Sequence, residues 1–212
     1  MRDLEYIKDP LVIEEKSFQI IGSIRDFSAF DEAQLKITKR VIHTTADFEY
    51  ADILKFSPGA IEISLETLKE GCGIITDTKM IQSGINKKAL EAVGCDVKCY
   101  IDHPDVVSIS SEHGITRSMA SMMMASKDSR NRVFVLGNAP TALFKLLELS
   151  KSGMITPALI IGVPVGFVGA EEAKDCLLET DIPHIVTQGR KGGSTVAVAI
   201  VNALLYMLRE LG

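Results

Sequence analysis

Arg132-Val133-Phe134-Val135-Leu136-Gly137-Asn138-Ala139-Pro140-Thr141 is the stretch that decides the fold. An apolar run too short for a buried helix leads into a glycine-bearing turn, and a segment with helical spacing follows over Thr141–Ser150. A strand that is apolar on both faces is covered on both faces, the habit of parallel sheets flanked by helices. The same unit recurs downstream. Ala158–Ile161 is a strand followed by Gly162–Gly169 and a helix over Ala170–Glu179. His184–Thr187 is another, followed by Gly189–Ser194 and a helix over Ser194–Leu211. Upstream, Gly73–Thr76 and Val97–Ile101 read as strands, with Asp77 placed to cap the helix after the first of them. Helices are expected at Lys79–Gly84, Lys87–Val93 and Thr116–Ser126. The prediction is an α/β fold with a mostly parallel sheet of about five strands covered by helices on both faces.

Residues 1–70 have a different texture and read mainly as helix. Phe30, Ala33, Ile37 and Val41 share a helical face, and Ser57-Pro58 resembles an N-cap and first helical residue for a helix reaching Gly71. No repeat or long linker divides the chain, so residues 1–212 are taken as one domain.

Composition narrows the function. A net charge of −5 argues against a generally basic nucleic-acid binder, although Lys36, Lys39 and Arg40 form one local basic patch and Arg190 and Lys191 another. No apolar run reaches the roughly 18 residues of a membrane span, and Met1–Pro10 lacks the layout of a secretory leader. Cys72, Cys95, Cys99 and Cys176 show no CxxC or finger-like spacing, although Cys95 and Cys99 can share one face of a strand. They read as free thiols of a cytoplasmic protein.

The glycine-rich turns all follow strands, at the edge where open α/β sheets bind ligands. Gly189–Ser194 is the most informative, since Arg190 and Lys191 precede Gly192, Gly193, Ser194 and a helix N-terminus, a setting suited to carboxylate or phosphate. A tight turn with solvated charges is the simpler alternative. The turn is not a Walker loop. Gly162–Gly169 (GVPVGFVG) is not GxGxxG and has no acidic ribose partner, which argues against a nicotinamide or flavin cofactor. His43 lies one turn beyond Lys39 and Arg40 if the helix reaches it. Those cations disfavour a charged imidazole until an anionic ligand offsets them; spacing alone favours a surface histidine beside a solvated basic face. His103 and His113 read as loop residues, and His184 as packed at a strand start. No HExxH motif or G-x-S-x-G elbow is present, so neither a protein-bound metal nor a hydrolase triad has support. Met119–Met124 reads as core or subunit contact, with a flexible apolar wall for a planar ligand as the minority alternative. Arg117, opening that helix, is a surface charge or a carboxylate clamp.

Together, Pro10–Ile20 (PLVIEEKSFQI), Arg40–His43 (RVIH), Phe56–Ile61 (FSPGAI), Thr76–Ile85 (TDTKMIQSGI), Leu136–Leu143 (LGNAPTAL), Pro157–Ala170 (PALIIGVPVGFVGA) and Gln188–Leu204 (QGRKGGSTVAVAIVNAL) resemble the precorrin-8 methylmutase family, also called precorrin isomerase, of cobalamin biosynthesis. The likeness runs through nearly the whole chain in order. It implies a Rossmann-like domain, a homodimer, and an isomerase that moves a methyl group from C11 to C12 of precorrin-8 or cobalt-precorrin-8, yielding hydrogenobyrinic or cobyrinic acid. It also implies no methyl donor or redox cofactor, any cobalt being carried by the tetrapyrrole, and places the family's proton donor and acceptor at His43. Ser17 and the residues before His43 match positions the family associates with substrate. On physical grounds Lys39, Arg40, Arg117, Lys191, Gly192, Gly193 and Ser194 join Ser17 as expected contacts for the acetate and propionate groups. A methyl-donor-dependent precorrin methyltransferase, a corrinoid carrier and a nucleotide-binding module are the rival readings.

Overall fold

The computed structural model describes residues 6–211. Residues 1–5, part of the stretch read above as lacking a leader layout, lie outside the described residues. Six strands form one sheet: β1 Leu54–Phe56, β2 Gly73–Thr76, β3 Asp96–Lys98, β4 Asn131–Leu136, β5 Leu159–Gly162 and β6 His184–Thr187. The helices are α1 Pro10–Ile24, α2 Glu32–Thr45, α3 Tyr50–Ile53, α4 Ala60–Lys69, α5 Lys79–Gly84, α6 Lys87–Ala92, α7 Pro104–His113, α8 Arg117–Ala125, α9 Pro140–Lys151, α10 Ala170–Leu178 and α11 Ser194–Leu211.

The strand order is β1-β6-β5-β4-β2-β3, and every pairing is parallel except that of β1 with β6. The chain lays down β2, steps outward to β3, then crosses to β2's other side for β4, β5 and β6. The strand order thus reverses between β2 and β4. Val133 to Leu136 of β4 are wholly buried, as an apolar run covered on both faces demands. One apolar core lies beneath α2, α4 and α11 and contains Ile74, Val133, Val135 and Ile161. The other, with Ile75, Phe134, Leu136 and Ile160, lies beneath α8, α9 and α10. Alternate residues of each strand therefore feed opposite cores.

Two contacts set the helices that matter for the site. Asp31 caps α2, its carboxylate accepting from the Gln34 N–H at 2.8 Å, and Ile37, Thr38, Val41 and Ile42 turn inward against α11. Ala46 ends α2 in the left-handed region at φ 54°, donating its N–H to the Ile42 carbonyl at 2.7 Å.

Several expectations need correction. The sheet has six strands, because Leu54–Phe56 adds an antiparallel edge within a region read as helical. Ser57 does not start a helix: its Oγ accepts from the His184 N–H at 2.8 Å and its own N–H donates to the His184 carbonyl at 3.0 Å, which continues the β1–β6 pairing. Helix α4 begins at Ala60, after Gly59 at φ 71°. Thr78 caps α5, accepting from the Ile81 N–H at 3.2 Å, and Asp77 turns elsewhere. His103 and His113 are not both loop residues: His103 caps α7, its Nδ1 accepting from the Asp105 N–H at 3.2 Å, and His113 is the last residue of that helix. Strand β3 covers only Asp96–Lys98, leaving Cys95 and Cys99 just beyond its two ends.

Candidate active site

Helices α2, α5 and α11 enclose a cleft of about 410 Å³. His43 and Arg40 enter it from α2, Met80 and Gly84 from α5, and Ser194, Thr195, Asn202 and Tyr206 from α11. His43 is exposed, in the last turn of α2, and its ring meets Phe18 edge-on with centroids 5.3 Å apart. Helix α5 ends in close contact with α11, since a Cβ on Gly84 would lie 2.8 Å from Val198 Cγ2 and force one of them to shift. The opening turn of α11 borders the cleft at Ser194 and Thr195, and the first N–H groups of a helix have no partner within it. Ser194 Oγ lies 3.1 Å from Thr78 Oγ1, which ties that turn to the start of α5.

The two cations before His43 have partners of their own. Arg40 forms an ion pair with Glu14 and lies between the rings of Phe18 and Tyr206, its guanidinium carbon 5.0 and 5.1 Å from their centroids. Lys39 turns to an adjoining groove of about 360 Å³ and stands 5.7 Å from the Phe27 ring centroid. Arg40 and Tyr206 line both hollows and form the partition between them.

Three loops meet at the carboxyl edge of the sheet. Gly193 donates to the Val163 carbonyl at 2.8 Å, Val165 to the Gly137 carbonyl at 3.3 Å and Gly166 to the Arg190 carbonyl at 3.2 Å. Gly192 is required here, because a Cβ would stand 2.1 Å from the Val163 oxygen. Lys191 turns away from the cleft. Its Nζ lies 2.5 Å from Asp47 and 2.7 Å from Glu49, and these bonds push the ammonium above, and the Asp47 carboxyl below, their ordinary ranges. Tyr50 adds a 3.4 Å hydrogen bond to the Gly192 carbonyl, and burial raises its phenol. Beneath the loop, the buried Lys174 donates to the Lys191 carbonyl at 3.0 Å, and burial lowers its amine to about 8.

The model of the family described as precorrin-8X methylmutase matches residues 12–207. A cobalt-precorrin-8 methylmutase of Salmonella typhimurium is 49% identical over 98% of this chain and 100% of the relative. A precorrin-8X methylmutase of a Sinorhizobium species is 38% identical over 95% of this chain and 97% of its own. The solved precorrin-8x methyl mutase of Thermus thermophilus superposes with a TM-score of 0.87 at 38% identity, covering 95% of this chain and 99% of its own.

The chain belongs to the precorrin-8X methylmutase family.

Of the residues singled out from sequence, the methylmutase fold brings His43, Arg40 and Ser194 into one cleft. Gly192 and Gly193 shape the turn leading to it, whereas Lys39 lies in the adjoining groove and Lys191 in its ion-pair cluster. Ser17 is half-buried on α1, its Oγ donating to the Ile13 carbonyl at 2.7 Å, next to the Phe18 that touches His43. Arg117 is exposed at the start of α8, on the opposite face of the sheet, and does not line the cleft. Arg190 is exposed, its Nε 3.8 Å from Glu171 and its guanidinium carbon 5.8 Å from the Phe167 ring centroid. Sequence reasoning passed over Asp47, Tyr50, Lys174, Asn202 and Tyr206. Asn202 and Tyr206 are four residues apart on α11 and so share a face, a signal available from spacing. The others depend on contacts between distant segments. Among the described residues no group of three or more His, Cys, Asp or Glu side chains is arranged to hold a metal, and no helix is long and apolar enough to cross a membrane.

Proposed function

We propose that this methylmutase moves a methyl group from C11 to C12 of cobalt-precorrin-8 to give cobyrinic acid, with His43 giving and taking back the proton that assists the shift. The observation that carries this reading is an exposed histidine in a cleft bordered by a helix N-terminus, in a chain that belongs to this family. Identities of 49%, 42% and 41% to three relatives named cobalt-precorrin-8 methylmutases exceed the 38% to two named precorrin-8X methylmutases and favour the cobalt-bearing substrate, although a further cobalt-precorrin-8 methylmutase stands at 37%. Cobalt would enter with the tetrapyrrole, and no separate cofactor takes part.

The residues divide the work by position. A proton shared between His43 and the conjugated ring biases it toward the rearranged isomer. The first turn of α11, with Ser194 and the backbone shaped by Gly192 and Gly193, receives one substrate carboxylate. Arg40, already bonded to Glu14, offers its remaining N–H groups to a second. Lys39 and Ser17 extend the binding surface along the neighbouring groove and α1, whereas Arg117, on the opposite face of the sheet, has no part in it. The active unit in this reading is a cytoplasmic homodimer of one-domain chains. Leu11, Ile13, Ile20 and Ile24 on α1 are exposed apolar residues that suit such an interface.

Parallel incubation with metal-free and cobalt-loaded precorrin-8, followed by visible absorption, tests the reading. Wild-type protein should convert the cobalt form faster. His43→Ala should lose turnover by about 100-fold or more while keeping its affinity for product. Wild-type turnover in that variant would sink the role of His43, and an unchanged spectrum with wild-type protein in excess substrate would favour a carrier.

A further inference from the structure

Away from the cleft, at the amino ends of β2 and β3, Cys72 and Cys95 face each other with their Sγ atoms 3.8 Å apart. Gly73 pairs with Asp96 in the parallel ladder, so the two cysteines occupy the next opposed positions on adjoining chains. The Asp96 N–H donates to the Cys72 carbonyl at 3.1 Å, which holds the backbones in that register. The thiols are not equivalent. Cys95 Sγ accepts from the Cys72 N–H at 3.4 Å, whereas Cys72 is almost wholly enclosed. The Cys95 thiol also donates to the Leu68 carbonyl at 3.3 Å; the Cys72 contacts lower Cys95, while the Cys95 contact and burial push Cys72 up. Cys95 also borders a hollow of about 400 Å³ lined by Gln82, Lys87, Leu90 and Val97, space enough for a small reagent to approach its sulfur. Neither thiol borders the cleft that holds His43.

We propose that Cys72 and Cys95 form a dithiol modification site that a low-molecular-weight disulfide oxidises to an intramolecular bond between β2 and β3. The Cys95 thiolate attacks one sulfur of the reagent RSSR, forming a mixed disulfide and releasing RS⁻. RS⁻ takes the Cys72 proton, and the resulting Cys72 thiolate attacks Cys95 Sγ and expels the second RS⁻. Two cysteine thiols lose two electrons, and RSSR gains them as two thiols. Cys95 is the attacking residue because it borders the hollow, and Cys72 is the resolving residue because it is enclosed with its sulfur 3.8 Å from that of Cys95. The bond would tie down β3, the edge strand of the sheet, which is otherwise paired on one side only.

The test uses full-length protein carrying Cys176→Ser, which removes the exposed thiol. Treated with 2-hydroxyethyl disulfide, it should lose two of its three remaining free thiols and the mass of two hydrogen atoms, and peptide mapping should find residues 72 and 95 joined. Adding Cys72→Ala should halt the reaction at a mixed disulfide on Cys95, while Cys95→Ala should leave Cys72 unreacted. Retention of all three thiols in the Cys176→Ser protein, or a bond from Cys95 to Cys99, would overturn the site. A mixed disulfide that settles on Cys72 would overturn the assigned order of attack. The mapping in the Cys176→Ser protein decides the site even if an alanine variant fails to fold.

Discussion

At the residue scale, His43 shows how position can matter more than local charge. Lys39 and Arg40 are one turn away in sequence, yet Arg40 is committed to Glu14 and two aromatic rings, and Lys39 to another groove. What distinguishes His43 is exposure inside a cleft that α11 completes from the far end of the chain. Lys174 is the opposite case, a titratable group with no surface at all. Burial lowers its amine from 10.5 to about 8, so between these values the unfolded chain holds more protons than the folded one. The penalty for burying charge is fully present below about 8 and is relieved as pH rises toward 10.5. Wild-type stability should therefore gain up to about 3 kcal/mol across that window relative to Lys174→Met. Urea unfolding of both proteins at several pH values measures this; a difference that stays constant would show that the amine is not buried as charge.

At the element scale, the reversal of strand order between β2 and β4 marks the crevice where open α/β sheets often bind ligands. Here the crevice is occupied from within. The Asp77 carboxylate accepts from the N–H groups of Gly137, Asn138 and Ala139 at 3.1, 2.8 and 2.7 Å, the last two through the same oxygen. Burial raises this carboxyl against the pull of those donors. An external phosphate would find its donors taken, and the cleft that holds His43 lies to one side, against α2. Asp77→Asn keeps the shape but replaces one acceptor oxygen with an NH₂ group facing N–H donors. It should cost about 2–3 kcal/mol in urea unfolding; a loss below about 0.5 kcal/mol would show that the loop does not need the carboxylate. Local sequence read Asp77 as the cap of α5, a place Thr78 takes; its true partners in the loop after β4 are out of reach of local reading, since Asp77 and Gly137 are brought together only when β4 pairs with β2. Ser57 was opaque for the same reason. Its side chain would serve equally as a helix cap, and only the distant β6 backbone claims it.

At the scale of the whole molecule, the exposed apolar side chains of α1 bear on assembly. Ile13, Ile20 and Ile24, spaced by seven and four residues, share a helical face with Ser17. If that face joins two chains, Ser17 lies at the junction, which reconciles its expected place near substrate with its absence from the His43 cleft. Light scattering should then give twice the 23.1 kDa chain mass, and Ile20→Lys with Ile24→Lys should shift the protein to monomer and lower turnover. A wild-type monomer at micromolar concentration, fully active, would overturn the dimer.

Sequence alone determined the alternation of buried strands and helices, because apolar periodicity and glycine-bearing turns act over a few residues. Thus Gly73–Thr76, His184–Thr187 and Ser194–Leu211 have the expected bounds in the structure, and likeness along the whole chain pointed to the family before any geometry was known. Tertiary structure alone decided which charges are free. Arg40 and Lys191 looked alike as available cations, but Glu14 engages the first without removing it from the cleft, while Asp47 and Glu49 draw the second away. The physical reason is range. Backbone preference and amphipathic spacing are local properties of the chain, whereas the partner of a charged side chain is whatever distant segment packing delivers within about 4 Å.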